Sequence, residues 1–217
     1  MFKGKSTIHR HKILQGINST AKATIQLSPR ELLLIENTTV ISLTEKIELL
    51  SIALGHKLTG ELFSSILYID NASTGQEEAT PESIDAIDFF LQQLSFPYYK
   101  DSAERTSRTN PKWKILTWFQ VCLNEKVKIF MQDFANELTD IEEGVLYGYP
   151  QSAIQAFAGL IEPDHTTKSE SIAKKYIGAG IPSQYFADEE EAYYLKQWNE
   201  LRDLSKKLVM EAERFVV

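Results

Sequence analysis

A chain of 217 residues with 43% apolar and 24% charged side chains has the means to pack a core, which excludes wholesale disorder. The net charge of −7 gives it no overall attraction for polyanions, and no apolar run approaches the roughly 18 residues of a membrane helix, so no membrane partner is expected. The single cysteine, Cys122, cannot close an internal disulfide, and the amino terminus has no secretory pattern, so a reducing, cytoplasmic setting is expected.

The charge is unevenly spread. Lys3, Lys5, Arg10, Lys12, Lys22 and Arg30 precede the first acid, Glu31. A second basic stretch runs from Lys100 to Lys114, whereas residues 129 to 167 hold seven acids and neither Lys nor Arg. Overall sign therefore says little about partners, and each region has to be read separately.

Residues 1 to 27 show no clear period and are expected as a basic N-terminal arm, with short strands allowed by the alternation at Ile8, Arg10, Lys12 and Leu14. Ser28-Pro29-Arg30-Glu31 has the form of a capping box with proline at the first helical position, which predicts a short helix to Glu36. Thr44 opens a further expected helix that Gly55 stops. Leu62 to Asp70 has the character of a buried strand. Thr80-Pro81-Glu82 then begins a helix whose Ile84, Ile87, Leu91 and Leu94 form one stripe.

Tyr98 to Arg105 and Trp113 to Leu123 read as two strands around a polar loop, and Cys122 falls in the second as a buried thiol. Beyond them the pattern is helical. Val127, Phe130, Met131 and Phe134 share a face, a helix is expected over Ser169 to Ile177, and a long helix is expected from Asp188 to about Phe215. On that last helix Tyr194, Trp198, Leu201, Ser205, Leu208 and Ala212 follow coiled-coil spacing, too few heptads for a dimer seam, so packing within the chain is favoured. The expected fold is α+β: a small mixed sheet with covering helices, followed by a mostly helical C-terminal half ending in a long helix. Residues 28–217 form the expected single domain, its sheet-containing part 28–123 and its helical part 124–217.

The most informative segment is 139 to 161. Thr139 and Glu142 can form a capping box, Gly148 can end the first of two short helices, and Pro150 starts the second. Gly144 is small where the helices must cross, and Ile154, Phe157 and Ile161 give the second helix an expected inward face. This segment resembles the helix-turn-helix of phage-type DNA-binding repressors, with a small residue at Gly144, a turn glycine at Gly148, and Tyr149, Ile154 and Phe157 at apolar positions. The resemblance implies that Gln151, Ser152 and Gln155 would read bases. A DNA reader takes most of its affinity from Lys and Arg on phosphates, however, and this segment supplies neither.

Three functional readings follow. The leading one is a non-enzymatic protein-interaction module that meets a protein partner, or itself, through the helical half, with Tyr147, Tyr149 and Gln151 as contact residues. The alternative is a nucleic-acid binder using the basic arm, the loop residues Arg105, Arg108, Lys112 and Lys114, and Gln151, Ser152 and Gln155 at the corner. An enzyme would need a pocket that gathers Asp70 with other carboxylates or histidines, and the chain has no Gly-x-Ser-x-Gly, phosphate loop or dinucleotide fingerprint. No catalytic residue, cofactor or metal is therefore assigned. His9 and His11 would point to one side of a strand, but nothing near them supplies a third ligand.

Overall fold

Capping chemistry starts the helices where serine and threonine stand ahead of a glutamate. The computed structural model describes residues 7–20, 24–68, 81–106, 113–161, 172, 175–176 and 187–214. In α2 (Pro29–Asn37) the Ser28 hydroxyl accepts from the Glu31 amide while Glu31 reaches back to the Ser28 backbone, as expected. The same reciprocal box at Ser42 and Glu45 opens α3 (Leu43–Ala53), two residues ahead of the expected Thr44. Glu31 does more than cap. Its second oxygen accepts from the Ser95 amide at 2.7 Å, tying α2 to the turn that follows α4 (Pro81–Leu91).

The three strands are β1 (Thr59–Tyr68), β2 (Tyr98–Thr106) and β3 (Trp113–Cys122), in the order β1-β3-β2. The expected mixed sheet is antiparallel throughout the described residues. β1 and β2 do run in the same direction, as a strand–helix–strand passage through α4 requires. They are not neighbours, because β3 returns in register with β2 and inserts between them. Leu62, Phe119, Val121 and Cys122 are buried, and α3, α5 (Glu125–Phe134), α8 (Ala187–Leu204) and α9 (Lys206–Arg214) complete the core with Leu49, Ile52, Phe130, Trp198 and Leu208. Burial pushes the Cys122 thiol up to about 11, which makes it an inert core group. The fold class is α+β.

The amino-terminal segment departs from its sequence reading. Residues Thr7–Thr20 form a helix, α1, where a loose arm or short strands were expected. Among its described side chains Arg10, Leu14 and Ile17 are buried, spaced four and three apart, a pattern hidden by the polar residues between them. On this helix His9 and His11 leave opposite sides, and His11 bonds Gln15 one turn on. Of the expected helix at Ser169 to Ile177, only Ile172, Lys175 and Tyr176 are described, with Ile172 and Tyr176 buried.

The long terminal helix ends early. Ser205 interrupts it, its hydroxyl donating to Glu36 at 2.6 Å and accepting from the Leu208 amide at 3.3 Å, which makes it the cap of α9. The chain folds back there, so that Trp198 and Arg202 on α8 both reach Glu213 on α9. Tyr194, Trp198, Leu201, Leu208 and Ala212 are therefore spent on the core of this chain and form no continuous seam.

Candidate functional site

The two-helix corner forms where the sequence places it. Thr139 and Glu142 make the capping box of α6 (Asp140–Leu146), and α7 (Gln151–Phe157) follows Pro150. Gly148 stands at φ 72°, in the left-handed region. The Tyr149 amide bonds the Gly144 carbonyl at 2.9 Å and the Gly148 amide bonds that of Val145 at 3.4 Å, the paired bonds of a Schellman stop. The helices then cross at touching distance: a Cβ on Gly144 would lie 2.6 Å from Cγ1 of Ile154.

Neighbouring elements hold this corner from three sides. The Leu58 amide, just ahead of β1, donates to the Leu146 carbonyl at 2.8 Å. The Tyr193 hydroxyl on α8 donates to the Gly148 carbonyl at 3.2 Å. From α1, the buried Arg10 guanidinium lies 2.9 Å from Glu137 and 3.6 Å from Glu142. Arg10 is the one basic-arm residue whose described geometry bears on the corner, and its charge is spent on two of the region's acids.

The two tyrosines differ in environment. Tyr147 packs against the core and donates to Glu61 at 3.0 Å, while the buried Gln120 amide stands 3.5 Å from its hydroxyl. Burial, with Glu61 beside it, raises its pKa. Tyr149 is half-buried and lines a surface groove of about 210 Å³ together with Asp140, Glu143, Gly144, Ile154 and Phe157. Phe157 was expected to face inward, yet it is 56% exposed. Seven residues make only two turns, so α7 buries Ala153 and Ile154 alone and leaves its last aromatic outside.

Along the groove the carboxylates lack counter-charges among the described residues. No described cation pairs with Asp140 or Glu143. Partial desolvation, then the nearby Asp140 and Glu61, raise the pKa of Glu143. The sequence reading missed Asp140, Glu143 and Phe157 as partners of Tyr149. An aromatic at the last position of a two-turn helix, next to acids with neither Lys nor Arg in the surrounding 39 residues, was the available signal.

The remaining site residues are scattered. Gln151 is exposed at the first position of α7, Gln155 is half-buried, and Ser152 donates to Glu190 at 3.3 Å. Arg105 and Lys114 are register partners on β2 and β3. Arg108, Lys112, Asp70 and His165 lie outside the described residues. Lys114 is six residues along β3 from Gln120, where Tyr147 meets the sheet, a separation of about 20 Å. His56, the remaining histidine, lies 3.4 Å from Glu200. No family model, curated protein or solved structure matches the chain.

Proposed function

We propose that this protein is a non-enzymatic interaction module whose helical half meets a protein partner at the α6–α7 corner. One observation carries the reading: the exposed Phe157 ring and the half-buried Tyr149 border a groove with an apolar floor, on a corner anchored by hydrogen bonds to three other elements. A large aromatic left in water beside a concave surface is what an interface anchor requires, and rigid surroundings lower the entropic cost of docking. Of the two tyrosines, Tyr149 is the contact residue and Tyr147 the support beneath it. Gln151, exposed at the first position of α7, is the further contact residue of this reading. The test is photo-crosslinking from residue 157 in cells, with position 89 on α4 as an exposed aromatic control. The reading requires a protein captured at 157 and not at 89, which then binds the purified chain and loses that binding on Tyr149→Ala. Identical capture at both positions contradicts it.

A second reading is nucleic-acid binding through the basic residues of the β2–β3 hairpin. It is favoured by the register that makes Arg105 and Lys114 Cα partners, so that two basic positions adjoin on neighbouring strands of one hairpin. Binding to a mixed DNA and RNA pool would weaken steeply with salt. A chain that is not retained at low salt excludes it.

A further inference from the structure

The groove beside Tyr149 has a shape and a charge that select one class of occupant. Its volume of about 210 Å³ falls below the ~300–1,000 Å³ of small-molecule sites, and suits one long side chain. Gly144 and Ile154 supply an apolar floor, the Tyr149 and Phe157 rings flank it, and Asp140 and Glu143 stand at its margin. The neighbouring acids Glu137 and Glu142 are already matched by Arg10, but no described cation pairs with Asp140 or Glu143. We infer that this groove receives an arginine side chain from a partner peptide, an assignment that rests on the interaction reading and specifies its ligand.

The chemistry follows from the lining. The three methylenes of arginine lie on the apolar floor, and the planar guanidinium can rest against an aromatic ring while donating to both carboxylates. Lysine offers a compact, strongly hydrated ammonium with no flat face, so it satisfies the charge but not the rings. An acidic side chain would meet Asp140 and Glu143 as like charges. A leucine would fill the floor and leave both carboxylates unrelieved. Partial desolvation, then repulsion from Asp140 and Glu61, raises the pKa of Glu143, which favours its neutral form relative to an ordinary carboxylate. A bound cation reverses that preference, so arginine binding weakens as pH falls through the carboxylate range.

The experiment uses the labelled full chain and blocked tripeptides Gly-Arg-Gly, Gly-Lys-Gly, Gly-Leu-Gly and Gly-Glu-Gly, followed by amide chemical shifts. The arginine peptide is expected to shift residues 140 to 157 saturably, more tightly than lysine, and more tightly at about pH 7.5 than at about pH 5. Glu143→Gln should weaken it about threefold to fivefold, the worth of an exposed ion pair, with amides outside the corner unmoved. Phe157→Ala should weaken arginine and leave the pH dependence in place. Equal binding of lysine and arginine, or no response to any peptide, overturns the assignment. If leucine alone titrates the corner, the arginine assignment fails and the interaction reading survives. If arginine binds but residue 157 captures no partner, the reverse holds.

Discussion

The His56 carbonyl oxygen lies 2.1 Å from where a Cβ on Gly148 would stand, so the turn between α6 and α7 closes directly against the loop that leads into β1. Two constraints coincide at this glycine. Its φ of 72° disfavours any side chain, and its neighbour leaves no room for one.

Replacing Gly148 by alanine should cost at least about 2 kcal/mol, from the left-handed penalty of ~1–2 kcal/mol and the collision with backbone. Urea unfolding should show a lower midpoint at unchanged slope. An alanine variant as stable as the parent contradicts the described turn.

Gly144→Ala tests the helix crossing. Its new methyl meets Ile154 at 2.6 Å, so the expected loss is about 1–3 kcal/mol. The clash is with a side chain, and shortening that side chain relieves it. Gly144→Ala combined with Ile154→Ala should therefore be less destabilised than the sum of the two single variants. Strict additivity in this cycle would mean the helices do not touch there.

Arg10 joins α1 to the corner through Glu137 and Glu142, and both Arg10 and Glu142 are buried. Arg10→Met should leave Glu142 uncompensated and cost roughly 3–5 kcal/mol. Adding Glu142→Gln keeps an oxygen for the Thr139 cap while removing the stranded charge, so the double variant should regain stability. Failure to regain it, measured by urea unfolding, would show that the methionine is disrupting packing and not charge.

The corner was legible because its signals are local. A capping box spans four residues, a Schellman glycine follows the helix it ends, and Gly144 has its small size in the sequence itself. The limits of β2 and β3 and the α5 face were legible for the same reason, since period and turn chemistry are written along the chain, whereas β1 begins at Thr59, three residues ahead of the expected Leu62. What could not be read is non-local. The insertion of β3 between β1 and β2, and the pairing of Arg10 with acids 127 and 132 residues away, depend on tertiary arrangement. Ser205 looked like a weak seam position and is a helix cap because Glu36, on α2, stands beside it. Phe157 was placed inside by period alone, which cannot tell how far a helix continues or what covers its end.

Glu31 gives a pH signature. Desolvation pushes its pKa up, but hydrogen bonds from Ser28 and Ser95 outweigh this and hold it at about 2, against an ordinary 4.5. A carboxylate with a depressed folded-state pKa stabilises above its unfolded value, and that contribution is lost as pH falls toward the folded one. The parent should exceed Glu31→Gln by about 1 kcal/mol at neutral pH. The gap should close as pH drops from 4.5 toward 2, and a pH-independent gap in urea unfolding would contradict it.

The proposed docking surface is tested most directly by relaxation of aromatic ring protons in the presence of a soluble gadolinium chelate. Phe157, at 56% exposure, should relax nearly as strongly as Phe89 at 66%, while the fully buried Tyr194 stays protected. A Phe157 ring as protected as Tyr194 would mean that the groove is covered by the chain's own residues, with no face left for a partner to occupy.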